Sequence, residues 1–228
     1  NINAQESACL VISLYGGIAL ASEMSEPERI PHFISPSLLH LSGLMQYDSF
    51  ADDLSICGAL LTFFRDFAEQ CIGMLDHEQC SLLFTSAATL LKNYSEHHCT
   101  NRVIPRIAED FAEFEEEQKY NDVLCCIQLL IHLGTKDFVD VCNAESSSSQ
   151  GMGSDSITEI IFFGLKQILP LMSQGLLQFP TLCTHYFSLV GFTVETYPVK
   201  MCMVSTQGSA QVVVSTSPLT ISLFEHFS

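Results

Sequence analysis

Two histidines and a cysteine stand in a row at His97, His98 and Cys99, the densest grouping of reactive side chains in the sequence. Imidazole and thiolate together can hold zinc or form a nucleophile–base pair. The spacing disfavours both. Adjacent histidines on a regular helix cannot face one metal together, and no second ligand pair lies at finger-like spacing. A nucleophilic Cys99 needs a depressed pKa and an oriented base, and nothing in the sequence positions one. A Cys/His hydrolase centred on Cys99 would require both, so a polar surface loop over residues 95–101 is expected instead. The acidic run Glu113, Glu115, Glu116 and Glu117 offers carboxylates for acid–base work. Consecutive helical residues splay by about 100°, however, so these groups do not converge on one point. A solvated face, or a contact for a basic protein partner, is the expected role of Glu113, Glu115, Glu116 and Glu117. His132, His185 and His226 stand singly, with His185 expected at a helix surface or core edge. Gly16-Gly17 and Gly151-Met152-Gly153 lack the lysine and the strand-to-helix setting of a phosphate loop. The sequence therefore points to a protein that is not an enzyme, with no catalytic residue, cofactor or metal site.

Composition narrows the partners. The chain has 228 residues, 26 acidic against 9 basic, for a net charge of −17. Each phosphate contact in a nucleic-acid groove needs a cation, so no nucleic acid is expected as partner, and no membrane. Basic protein surfaces are the natural complement, their encounter rates raised by the acidic field. Apolar residues make up 47% and charged residues 15%, against about 25% charged in a typical globular chain. That balance, and an opening Asn rather than Met, suits a piece of something larger whose ends expose core. The ten cysteines form no CxxC pair. Cys57, Cys71, Cys80, Cys126 and Cys183 fall in or beside apolar helical stripes, as buried free thiols do. The apolar stretch over residues 8–21 lacks a basic leader and is too short to span a bilayer, so a core helix is expected there.

The elements that must carry these residues read as helices. Residues 154–198 organise the chain as two amphipathic helices folded back on each other. Ile157, Ile160, Ile161, Leu165, Ile168 and Leu169 line one face of the first, with Ser156 and Glu159 placed to form a capping box. Pro170 should kink or stop it, Pro180 opens the second helix and Pro198 closes it. Leu54, Cys57, Leu61, Phe64, Ala68, Cys71 and Leu75 alternate three and four apart, with Ser49 and Asp52 as candidate caps. Asp76-His77-Glu78 turns the chain into a companion helix through Leu83, Ala87 and Leu91. A further stripe from Tyr120 to Ile131 should stop at Gly134 as a left-handed cap. Helical hairpins thus recur over residues 54–94, 105–134 and 156–197, with a Ser/Gly-rich flexible loop at 143–155. Residues 201–228 lose the helical period and form a divergent or disordered tail. Several of these helices carry apolar residues on more than one side and need neighbours on both flanks. That is the physics of helical repeats, so the expected fold is all-α, a HEAT-type solenoid over residues 1–200, incomplete and ending in an irregular tail.

Particular runs resemble one family. Phe163-Gly164-Leu165-Lys166-Gln167-Ile168-Leu169-Pro170, with Gln178-Phe179-Pro180-Thr181-Leu182-Cys183 after it, is similar to exportins of the importin-β (karyopherin) superfamily. Glu195-Thr196-Tyr197-Pro198, Gln70-Cys71-Ile72-Gly73, Gln118-Lys119-Tyr120 and Lys136-Asp137-Phe138 agree in order. The likeness covers about residues 60–200 with gaps and fits the C-terminal part of such receptors. It is patchy before residue 54. The chain departs from the family over 75–80, which is shorter, and after residue 200, where the family continues into further helices. The resemblance implies a superhelical nuclear transport receptor that binds protein cargo and the GTP form of Ran in the nucleus. It would cross the pore on Phe-Gly nucleoporins, shuttling between nucleus and cytoplasm, with cargo and Ran coupled through one flexible solenoid. A structural HEAT/armadillo scaffold without transport activity is the alternative.

Overall fold

A computed structural model describes residues 3–21, 29–99, 120–144, 154–172 and 175–204. Among these residues the chain is all-helical and contains no strand. Helix α1 (Ala4–Leu20) begins with a reciprocal cap. The Asn3 side chain accepts from Gln5 N–H, while Glu6 accepts from Asn3 N–H at 3.1 Å. Two short helices follow, α2 (Arg29–Ile34) and α3 (Leu38–Gly43), then the single turn α4 (Asp48–Ala51). The long helices are α5 (Leu54–Cys71), α6 (His77–Tyr94), α7 (Asn121–Ala144), α8 (Ser154–Ile168) and α9 (Pro180–Thr196). Helix α10 (Pro198–Val204) ends the described chain.

Neighbouring helices form two rows. One runs α1–α5–α7–α9, and in the other, α3–α6–α8, helix α8 lies closer to α7 of the first row than to α6. Helix α5 sits in the middle of the first row, and its buried residues go round most of its circumference: Ile56, Leu60, Phe63, Phe64 and Phe67 among them. Phe63 meets Phe64 edge-on at 5.2 Å between ring centroids and stacks on Phe67 at 6.0 Å. Each fully buried side chain of this size contributes about 1.5–3 kcal/mol, so one such helix tethers both neighbours. Across the rows, Tyr94 Oη donates to Asp122 Oδ2 at 2.9 Å, and along the second row Ser95 Oγ donates to Gln167 Oε1 at 2.7 Å.

Several local expectations are corrected. The cap of α5 is Asp53, whose Oδ1 accepts from Ser55 and Ile56 N–H, rather than Ser49 or Asp52. Asp76 with Gln79 forms the capping box of α6. Helix α8 begins at Ser154, which places Ser156 inside the first turn and not before it. Helix α7 continues ten residues past Gly134, which holds no left-handed backbone. A Cβ there would lie 2.8 Å from Phe192 Cζ and 3.1 Å from Ile161 Cδ1, so the glycine is needed for close approach by α8 and α9. Gly164 makes the matching contact on α8, where a Cβ would meet Leu130. Pro170 does end α8, in a 3₁₀ turn, and Pro180 is the first residue of α9. Pro198 closes α9 and at once opens α10, which takes residues 201–204 into helix. Helices α8 and α9 each approach α7 more closely than they approach one another. The stretch 156–197 is therefore joined through α7, with Phe162 and Tyr197 in ring contact at its far end. Residues 105–119 and 205–228, and 145–153 of the loop at 143–155, lie outside the described residues.

Candidate functional site

The His97-His98-Cys99 run sits in one turn of π-helix, Ser95–Cys99, and not in the surface loop expected for 95–101. Tyr94, anchored on Asp122, carries the chain on from α6, and the wider π turn swings both histidines toward α4. There His97 Nδ1 lies 2.9 Å from Asp52 Oδ1. His98 Nε2 donates to Ala51 O at 2.8 Å, and its ring stacks on Tyr94. The two imidazoles thus point at separate partners and hold the end of α6 against α4. Among the described residues no group of three or more His, Cys, Asp or Glu could hold a metal ion. Cys57, Cys125, Cys126 and Cys183 are thiols outside any disulfide. Burial pushes the Cys57 and Cys126 thiols far up, so both stay protonated and act as small apolar groups. Cys183 is only half-buried, less covered than its stripe suggested. Glu113, Glu115, Glu116 and Glu117 lie outside the described residues.

A different set of polar side chains does converge. Arg65 and Glu69 of α5, Gln128, Ile131 and His132 of α7, and His185 and Ser188 of α9 line a half-open cleft of about 350 Å³. Arg65 Nε and Nη2 donate to Asp66 Oδ1 at 2.8 and 2.6 Å. Arg65 Nη1 reaches Cys125 Sγ at 3.3 Å and Gln128 Oε1 at 3.4 Å. Gln128 Nε2 lies 3.1 Å from His185 Nε2, and His185 Nδ1 lies 2.9 Å from Thr181 O. A carbonyl only accepts, so Nδ1 carries the proton and neutral His185 takes the Gln128 amide hydrogen on Nε2. The hydrogen bonds therefore run one way, from guanidinium to amide to imidazole to backbone, and cross three helices of the first row.

Electrostatics in the cleft follow from burial. Burial opposes the charge on Arg65, and its neighbours more than restore it, raising its pKa. Burial also keeps the Cys125 thiol protonated, so Asp66 is the anion that holds the guanidinium. His132 is held below the ordinary imidazole range, first by burial and then by Arg65 and His185, with Glu69 pulling the other way. The cleft thus presents a fixed cation, a carboxylate and neutral imidazoles. It can seat a polar side chain from a partner, and it ties α5, α7 and α9 together whether or not anything enters.

None of these residues was legible as a group. Arg65 and Gln128 are 63 apart in sequence, and Gln128 and His185 are 57 apart. The one usable signal was Arg65-Asp66, a charged pair directly beside apolar neighbours in the middle of a helix. No protein-family model matches the chain.

Proposed function

We propose that the chain is a stretch of HEAT-type helical solenoid that works by binding other proteins, as part of a nuclear transport receptor of the exportin-4 kind. The observation that carries this reading is the pair of helix rows, in which α5 and α7 have neighbours on both flanks along the row. Helices covered on two sides by like helices are the unit of a repeat stack. The runs similar to importin-β superfamily exportins support the transport role. In that role the chain contributes to binding protein cargo and the GTP form of Ran, and the receptor moves between nucleus and cytoplasm on Phe-Gly nucleoporins. The net charge of −17 suits basic protein partners.

The test is retention of Ran on the immobilised protein, loaded with GTP in one arm and GDP in the other, with and without a basic cargo. Preferential retention of the GTP form, strengthened by cargo, is the expected result, since the two ligands are coupled reciprocally. Equal retention of both forms, or of neither, overturns the transport role and leaves a structural HEAT/armadillo scaffold.

A further inference from the structure

We propose that Arg65, Gln128 and His185 form a proton-sensitive latch, which fastens the first half of α9 to α7 only while His185 is neutral. The three side chains come from successive helices of the first row, α5, α7 and α9. Along α7 the half-buried residues Leu124, Gln128, Ile131 and His132 form one stripe, while Val123, Cys126, Ile127, Leu130 and Leu133 around it are buried. The stripe marks the broad face of the row. A helix added at either end would lengthen the row and leave this face as it is.

The polarity of the latch is fixed from both ends. A guanidinium can only donate, so the Gln128 atom 3.4 Å from Arg65 Nη1 is the amide oxygen. That turns the Gln128 NH₂ toward His185, whose Nε2 stands 3.1 Å away. At the other end Thr181 O can only accept, so His185 Nδ1, 2.9 Å from it, carries a hydrogen. Nε2 is then left as the bare lone pair that takes the Gln128 hydrogen. One protonation state of the ring satisfies every member, and it is the neutral one.

A proton arriving at His185 breaks that agreement. It can settle only on Nε2, and two donors then face each other across the gap to Gln128. Turning the amide over restores a bond to His185 but sets its NH₂ against Arg65 Nη1, again donor against donor. Arg65 does not yield, because Asp66 holds its Nε and Nη2 at 2.8 and 2.6 Å. Either orientation of Gln128 therefore loses one hydrogen bond of the latch. Further along α9, Phe192 stays packed at Gly134, so the loosening falls on the part that carries Thr181 and His185.

The charged and titratable groups around the ring are Arg65, Asp66 and Glu69 of α5 and His132 of α7. Glu69 draws a proton into the cleft, whereas Arg65, and His132 once charged, oppose it. Histidine changes its charge between about pH 5 and 8, which makes the latch responsive to mild acid. It holds α9 in the row whatever the chain binds, and so stands apart from the transport role.

The experiment is hydrogen–deuterium exchange of the intact chain at about pH 7.5 and about pH 5.5, read as protection factors so that the intrinsic effect of pH is removed. The readout is the protection of amides 184–188, beside the latch, divided by that of amides 192–196, beside Phe192. In the wild-type chain this ratio should fall about fivefold on acidification, the effect of one lost hydrogen bond. H185Q keeps an acceptor in place of Nε2 and no titrating proton, so its ratio should not change with pH. Q128E offers acceptors only, which suits Arg65 and a protonated His185 together, so its ratio should rise as the pH falls. H132Q should keep the wild-type fall. A level ratio in the wild-type chain, a fall that persists in H185Q or Q128E, or one abolished by H132Q would overturn the proposal.

Discussion

Helix α7 carries Val123, Cys126, Ile127, Leu130 and Leu133 into contact with neighbours on several sides, whereas α1 is apolar nearly all round and hides one face. The two helices use glycine in opposite circumstances. Gly134 of α7 is where Phe192 and Ile161 press closest, while Gly17 of α1 faces open space. The difference teaches what a repeat stack does to a two-sided helix. An inner position converts both apolar faces into stability, whereas among the described residues α1 gains that stability on one face only.

The largest expected effect comes from truncating each helix at its most apolar contact. Leu130 is fully buried against Gly164, and Leu130→Ala should cost about 3 kcal/mol through lost transfer energy and the cavity left behind. Leu14→Ala, at a largely exposed site, should change monomer stability by less than about 0.5 kcal/mol. Urea unfolding at a concentration where the chain is monomeric measures both. Similar losses at the two sites would mean that α1 is as enclosed as α7.

The glycines sharpen the same contrast with opposite signs. Gly134→Val drives a branched side chain into the Phe192 ring and should destabilise by about 2 kcal/mol. Gly17→Ala meets nothing and lowers the entropy of the unfolded chain, so it should stabilise by about 0.5–1 kcal/mol. If Gly134 were the left-handed cap expected from sequence, Gly17 and Gly134 would still differ, but Phe192→Ala would not rescue Gly134→Val. Rescue by that second change is the expected outcome, read as the coupling in a double-mutant cycle.

How much of this could be read from the chain follows from the range of each signal. The stripe Cys57, Leu61, Phe64, Ala68 and Cys71 and the first-turn position of Pro180 are local, and both stand in the structure, whereas Leu54 at the start of that stripe is exposed. Gly134 was misread because its local meaning, a helix stop, competes with a tertiary one. The close passage of Phe192, 58 residues later in the sequence, decides between them. His97 and His98 attracted notice because they are adjacent, yet the π turn sends them to Asp52 and Ala51 instead of to a common ligand. Arg65, Gln128 and His185 gave no sequence signal as a group, since nothing but the packing of three helices brings them together. Periodicity likewise reported an apolar core helix at α1 and an apolar stripe along α7. It could not say which of them keeps an uncovered face.

The cleft between the inner helices supplies the smallest effect and the one that depends on pH. His132 on α7 has its imidazole held below the ordinary range, chiefly by burial. In the unfolded chain the ring takes its proton near pH 6.5, while the folded chain resists until the pH is lower. The unfolded state therefore binds more protons in that interval, and stability falls as the solution is acidified from about pH 7 toward 5.5. The groups facing His132 work in both directions. Glu69 of α5 favours the charged ring, and Arg65 of α5 and His185 of α9 oppose it. His132→Gln keeps a polar side chain without a titrating proton and should flatten the fall in urea midpoint over this interval. The effect should be smaller than either glycine contrast, because the ring is only partly enclosed. The matched control is at α1, where residues 4–20 include no histidine. Leu14→Gln, changing the open helix instead of the enclosed one, should leave the pH slope as it is. An unchanged slope in His132→Gln would mean that water reaches the ring as freely as it reaches Leu14.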